Sequence, residues 1–271
     1  MRRLCTVLLM ALLVIAASQL HAQKRDIRLA TTTSTDNSGL LRFLLPKFEA
    51  AYGAPVRVIS VGTGKALKLG ENGDVDAVLV HSRADEDRFV AEGHGVDRRD
   101  VMYNDFVVVG PAADPARIRG LGDVVEALRR IARTKATFVS RGDDSGTHKM
   151  ELGYWKIAGI EAQSHPGYRS AGLGMGEVLL MASEMRAYTL TDRATYGAMR
   201  QKIELTVLVQ GDPRLFNPYG IIAVNPAKHP HANYQGARAL IDWITSKEGQ
   251  AAIASFKAAG EQLFYPGASV K

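Results

Sequence analysis

The 271 residues contain one cysteine. Cys5 lies ahead of an apolar run rather than at its end, which makes it a poor lipidation site. Without it the chain has no disulfide and no thiol chemistry, so a small disulfide-stapled module is excluded. Aromatic residues make up only 7% of the chain, with two tryptophans. There is no basic helix and no aromatic-basic alternation, which excludes the usual modes of nucleic-acid binding. Internal repeats and low-complexity linkers are also lacking. The longest apolar run, Leu4 to Ala17, is interrupted only by Thr6. It is too short for a comfortable membrane span. Arg2 and Arg3 precede it and "SQLHAQ" follows it, the pattern of a secretory signal over 1–22. Cleavage is expected after Ala22, with Ser18 as the alternative. Export of a chain without cysteine fits a bacterial periplasm.

What remains, 23–271, is long enough for one large or two medium domains with a real core. Loss of Arg2 and Arg3 lowers the formal charge from +6 to +4, and the basic residues are scattered. Such a surface can steer a small anion. Strands are expected at Asp26–Ala30, Pro55–Ser60, Ala77–Val80, Tyr103–Val109, Ala136–Ser140, Arg186–Leu190, Leu205–Val209 and Gly220–Val224. Several are short continuous Val/Ile-rich runs, as in strands buried on both faces. Helical patterns lie between them. Val124, Leu128 and Ile131 share one face behind the cap candidate Asp123. Pro46 is expected to bend or split the helix over "LLRFLLPKFEAAYG". Ala237 to Ala259 reads as two helices. The alternation predicts an α/β protein with mostly parallel sheets flanked by helices. "YNDFVVVGP" and "NPYGIIAVNP" look like crossings between two lobes. On that reading 23–108 with 222–271 form lobe I, and 109–221 form lobe II.

Three loops follow expected strands and open helices, where ligands bind in open α/β sheets. Helix N-termini there offer unpaired N–H groups and a partial positive charge, an anion site without any dedicated cation. "TTTSTDNSG", Thr31 to Gly39, carries seven hydroxyl or amide side chains in nine positions. Ser38 is the natural cap of the following helix, but five hydroxyls in a row exceed what one cap needs, leaving Thr32, Thr33 and Ser34 free to aim donors at an oxyanion. In "SVGTGKA", Gly62 and Gly64 allow close backbone approach and Thr63 adds a hydroxyl, although a plain strand–helix turn reads the same way. It is not a Walker A loop. "SRGDDSGTH", Ser140 to His148, offers Arg141 for a bidentate charge-assisted contact, with Ser145 and Thr147 at a helix start. Asp143 and Asp144 would repel a dianion, so they are expected to face Arg141 or cap the helix. Only an anion that keeps a proton, such as hydrogen phosphate, would want one of them.

Catalysis finds little support. Ser145, His148 and Asp143 are too close along one helix turn for a nucleophile, a base and its orienting acid, and no GxSxG elbow exists. His148 is expected on the helix surface. His81, His94, His165, His229 and His231 show no metal-ligand spacing. "GLGMGE" does not satisfy GxGxxG and opens a helix. An exported hydrolase using Ser145 or His148 is the least favoured of the readings; a receptor for phosphate or sulfate stands above it.

"TTTSTDNSGLL", "GTGKAL", "GDVDAVLVHS", "VMYNDFVVVGP", "FVSRGDDSGTHK", "AYTLTDR" and "IIAVNP" occur in an order that resembles the periplasmic tungstate-binding proteins of ABC uptake systems. The resemblance covers nearly the whole exported chain. It implies a two-lobed binding protein, type II-like, with two crossing strands as hinge, which closes on an oxyanion. The ligand implied is tungstate, sometimes molybdate, delivered to a membrane permease and ATPase. No cofactor, no catalysis and a monomer are implied. Carried onto this sequence, the ligand residues are Thr32, Thr33, Ser34, Arg141, Ser145 and Thr147. Thr63 is added from the loop argument above, and Thr189 and Thr191 of "AYTLTDR" are weaker candidates. Tungstate and molybdate share size, shape and charge, so the preference for tungstate rests on the resemblance.

Overall fold

The structure is a computed structural model that describes residues 24–258 and 260–268. The expected signal segment, its cleavage point and Cys5 lie outside them.

The first strand, β1 (Ile27–Thr32), runs two residues further than expected and is followed by a short helix, α1 (Thr33–Asn37), where a loop was expected. Thr32, not Ser38, is the cap here: its Oγ1 accepts the Thr35 N–H at 3.2 Å. Ser38 ends α1 instead, donating to the Thr35 carbonyl at 2.6 Å and accepting the Leu40 N–H at 3.2 Å. Gly39, left-handed at φ 82°, takes the N-cap position of α2 (Leu40–Tyr52), so the Ser38 hydroxyl sits one residue too early for that role. Pro46 does not split α2. Its missing N–H frees the Arg42 carbonyl, but both residues are exposed, so water can take the lost bond. Leu41, Leu44, Leu45 and Phe48 meanwhile hold the helix to the core.

The chain continues through β2 (Val56–Val61), α3 (Thr63–Asn72), β3 (Ala77–Val80) and α4 (Arg83–Ala91). β1 pairs in parallel with both β2 and β3. Next comes β4 (Gly95–Pro111), 17 residues long. α5 (Val124–Arg133) starts at Asp123, whose Oδ1 accepts two backbone N–H groups as expected. It is followed by β5 (Phe138–Ser140), α6 (Gly146–Ile157), β6 (Tyr168–Ser170), α7 (Met175–Glu184), β7 (Thr189–Asp192), α8 (Arg193–Met199) and β8 (Leu205–Val209). β7 starts three residues later than expected, because Arg186, at φ 50°, closes off α7 first. β9 (Phe216–Val224) returns the chain to α9 (Tyr234–Ile244) and α10 (Lys247–Ser255), with the short strands β10 (Lys257–Ala258), β11 (Glu261–Gln262) and β12 (Tyr265–Pro266) at the end.

The long strands β4 and β9 explain why the large sheet is mixed rather than mostly parallel. One carries the chain out of the first lobe and the other brings it back, so they must run antiparallel. They pair from Gly95↔Val224 to Asp105↔Phe216. β9 is also antiparallel to β3, and the far half of β4 is antiparallel to β7 and β8. The parallel expectation holds for the βα units, including β5 with β6. Strand alternation separates the cores. On one side of the crossing, Leu29, Leu79, Ile221 and Ala223 pack with Phe48 and Leu240, while Val78, Val80, Ile222 and Val224 face Phe89. On the other side, Phe106 and Val108 pack with Trp155 and Tyr188, while Val107 and Val109 meet Val139 and Leu179. Each such side chain, fully buried, contributes about 1.5–3 kcal/mol.

Candidate functional site

β1, β2, β3, β5 and β7 all end at the cleft between the lobes, and α1, α3, α6 and α8 begin there. The helix N-termini therefore converge from both sides, each bringing unpaired N–H groups and positive dipole ends. The lobes touch directly. The Gly146 N–H donates to Thr63 Oγ1 at 3.0 Å, Thr195 Oγ1 to the Ser34 carbonyl at 3.1 Å, and Arg141 Nη2 to Thr33 Oγ1 at 2.9 Å. Lys149 meets Asp85 at 2.8 Å on the rim. Contact this close needs glycine: a Cβ at Gly146 would stand 3.2 Å from the His81 carbonyl oxygen, and one at Gly62 3.3 Å from that of Asp143.

Arg141 lies at the centre, only 1% exposed. Its Nη2 also reaches Asp143 Oδ2 at 2.6 Å, while Nε and Nη1 have no partner among the described residues. Gly142, at φ 61°, makes the turn that lets Asp143 fold back onto Arg141, and Asp143 Oδ1 accepts the Ser145 N–H at 3.2 Å. Asp144 points into solvent. Asp143 thus neutralises and positions the guanidinium. Thr147 Oγ1 is buried without a partner. Ser145 caps α6, its Oγ accepting the His148 N–H at 3.2 Å and keeping its own proton to donate.

Opposite them, Thr32 Oγ1 lies 2.9 Å from Ser34 Oγ and 2.7 Å from Thr35 Oγ1. His81 Nε2 lies 3.2 Å from both Thr32 Oγ1 and Ser34 Oγ, and its Nδ1 is 3.1 Å from Asn217 Oδ1. Burial, and then the charge of Arg141, push the His81 pKa down to about 4, so the ring is neutral. An amide oxygen only accepts, so Nδ1 carries the proton and Nε2 accepts from a hydroxyl. The three hydroxyl protons are matched by the two O···O contacts and the donation to Nε2, whereas Thr33, which accepts from Arg141, keeps its own proton to donate. Asn217 Nδ2 donates in turn to Asn104 Oδ1 at 2.7 Å and to Tyr219 Oη at 3.2 Å, across the two crossing strands.

Nine buried side-chain atoms lack a partner among the described residues, and five belong here: Nε and Nη1 of Arg141, Thr147 Oγ1, Asn104 Nδ2 and Asp192 Oδ2. Four of the five are donors. Each unpaired buried group costs about 1–3 kcal/mol, so their concentration at one spot marks a place built to receive acceptors.

Comparison with known proteins places the chain in a family. The model of the PBP superfamily domain matches residues 17–248. The tungstate-binding protein TupA of Peptoclostridium acidaminophilum is 49% identical over 250 residues, covering 91% of this chain and 87% of its own. The tungstate ABC transporter structure from Geobacter sulfurreducens shares 55% identity at a TM-score of 0.79, over 86% of this chain and 99% of that one. TupA from Desulfovibrio alaskensis G20 shares 47% identity at a TM-score of 0.76, over 91% of this chain and 100% of that one. The chain belongs to the tungstate-binding proteins of the PBP superfamily.

In this member of the tungstate-binding family, the structure brings Thr32, Thr33, Ser34, Thr63, Arg141, Ser145 and Thr147 together, all in or beside the cluster described. Thr189 and Thr191 are not part of it: their hydroxyls bond to the neighbouring carbonyls of Leu190 and Asp192. His148 is half-buried rather than on the surface. Its Nδ1 accepts the Asp144 N–H at 3.1 Å, and its ring makes no bond to Ser145, so no nucleophile–base pair forms there. His81, Asn104, Asn217, Asp192 and Thr195 were not singled out from the sequence. His81 had been weighed only as a metal ligand, yet it directly follows the apolar strand "AVLV", at the strand end where binding residues sit. The asparagines were legible as amides inside otherwise apolar crossing strands. A surface cavity of about 280 Å³ lined by Arg193, Tyr196 and Glu261 lies away from the cluster and contributes none of its unpartnered donors.

Proposed function

We propose that this chain is a periplasmic solute receptor that captures tungstate, or molybdate, between its lobes and hands it to a membrane ABC permease. The observation that carries the reading is the set of four buried donors without a partner among the described residues: Nε and Nη1 of Arg141 itself, Thr147 Oγ1 and Asn104 Nδ2. A tetrahedral dianion without a proton at neutral pH accepts at every oxygen, and removing it from water is costly unless each oxygen is paired. Arg141, Ser145 and Thr147 from one side of the cluster, with Thr32, Thr33, Ser34 and Thr63 from the other, supply such donors, and the helix N-termini add backbone N–H groups. Binding is recognition without turnover. The division into 23–108 with 222–271 and 109–221 is supported by the buried clusters. Their membership changes between Met102 and Phe106 and between Leu215 and Tyr219, a few residues earlier than each boundary; Ala194 is the exception.

One observation favours a second reading. Asp192 Oδ2 is an acceptor, and an acceptor suits an anion that keeps a proton, such as hydrogen phosphate. Thermal unfolding with tungstate, molybdate, sulfate and phosphate in turn separates the two. A ligand at roughly a thousand times its Kd stabilises the fold by about 4 kcal/mol. A shift of that size with tungstate, absent with phosphate, is expected. A shift with phosphate alone would replace the first reading by the second.

A further inference from the structure

Asp192 sits fully buried at the end of β7 and the start of α8, directly opposite Phe106 of β4. Its Oδ1 accepts the Thr195 N–H at 2.8 Å, while Oδ2 has no partner among the described residues. The ionisable groups that face it are Arg141, from the β5–α6 turn, and Tyr219, from β9. Arg141 is already matched by Asp143. Tyr219 is buried and its hydroxyl is held well above the usual phenol range by that burial, so it carries no charge. Its ring packs, tilted by 31°, against the neutral His81, with ring centroids 4.8 Å apart. The next residue, Arg193, turns away to Asp105.

An ionised Asp192 would therefore stand, without a cation of its own, beside a bound dianion. Like charges at a dry site repel strongly, and a carboxylate offers the anion only lone pairs. As a carboxylic acid the same group becomes a fifth donor among the four already there. We propose, resting on the oxyanion reading above, that Asp192 enters the closed site as a neutral acid and donates its hydrogen to an oxygen of the bound anion. Opening the cleft admits water and favours the carboxylate; closing on the anion takes one proton from solvent onto Oδ2. No other bond forms or breaks. Burial acts in the same direction, holding the Asp192 carboxyl above its ordinary range against the pull of the Thr195 N–H and Arg141. The acceptor that favoured a protonated ligand thus becomes a donor to an unprotonated one, and it makes affinity depend on pH.

Titration calorimetry of tungstate into the exported chain, repeated in buffers of different ionisation enthalpy from about pH 6 to pH 9, counts the protons taken up. Uptake approaching one proton is expected, with Kd weakening by about tenfold per pH unit above the pH at which the open form ionises. Asp192→Asn keeps a donor that does not titrate, so it should bind without that uptake and with a flat profile. Glu151, behind Ser140, titrates in this range as well, but its contribution persists in Asp192→Asn and is removed by the comparison. The inference fails if the unaltered protein binds tungstate with no proton uptake and a flat Kd, a result that does not depend on the variant folding. It also fails if Asp192→Asn takes up the same proton. If the unaltered protein binds none of tungstate, molybdate, sulfate or phosphate, the oxyanion reading itself falls, and this inference with it.

Discussion

At the scale of single residues, the site depends on one buried cation. Arg141→Ala removes three donors and strands Asp143, a change that costs about 2–5 kcal/mol for a buried hydrogen-bonded charge, or roughly thirtyfold to several thousandfold in Kd. Calorimetry with tungstate reads the loss directly. His148→Ala should leave affinity within a few-fold of the parent, because the ring bonds only to the Asp144 N–H on the far side of the loop. His81 predicts a pH effect on stability. Its folded pKa, about 4, lies below the ordinary imidazole value of 6.5, so the neutral ring's contribution is complete above 6.5 and is lost as pH falls toward 4. Denaturant melts should show that acid limb, and His81→Gln should flatten it. Residue types announced much of this site: hydroxyls massed before a helix and an arginine between glycine and strand are unusual enough to read. His81 was not legible because a lone histidine carries no spacing signal. Its role comes from Asn217, 136 positions away, which only the fold places beside it.

At the scale of elements, caps and strand ends decided what the sequence revealed. The apolar runs located β2, β3, β8 and the latter part of β4, since continuous Val/Ile stretches have few alternatives. Boundaries failed where polar residues continue an element: Thr31 and Thr32 extend β1, and α1 forms from "TSTDN", which reads as a loop by composition. Thr32 links the levels, as both the cap of α1 and a member of the hydroxyl cluster. Thr32→Ala should lower stability by about 1 kcal/mol through the lost cap and also weaken tungstate binding. A Ser38→Ala change should affect stability alone. In α6, Glu151 is buried against Ser140, Trp155 and Tyr168. Burial pushes its pKa up to about 7, above the ordinary carboxyl value of 4.5. Its stabilising protonated form is complete below 4.5, and that contribution is lost as pH rises through 7. Glu151→Gln should remove this loss, seen as a smaller fall in unfolding free energy between those values than in the parent.

At the scale of the whole molecule, the crossing strands explain the mixed sheet. Among the described residues β4 pairs with β9 before Phe106 and with β7 and β8 after it, and the Asn104–Asn217 bond lies where the two crossing strands meet. The two crossings were legible as apolar strands ending in Gly-Pro and Asn-Pro. Their antiparallel pairing was not, because pairing direction is a long-range property that local pattern does not carry. Closure depends on small residues at the meeting faces, so a bulky side chain at Gly146 should hold the lobes apart. Gly146→Leu should keep the melting profile of the unliganded protein, abolish binding, and show no contraction by small-angle scattering when tungstate is added. The account as a whole turns on where the anion sits. Diffraction from crystals grown with tungstate, collected at a tungsten absorption edge, locates it without any assumption about the protein. The account predicts one strong anomalous peak enclosed by Arg141, Thr147 and the Thr32–Ser34 turn, within hydrogen-bond reach of their donors through its oxygens. A peak elsewhere on the molecule, or none at this cluster with tungstate in excess, would contradict it.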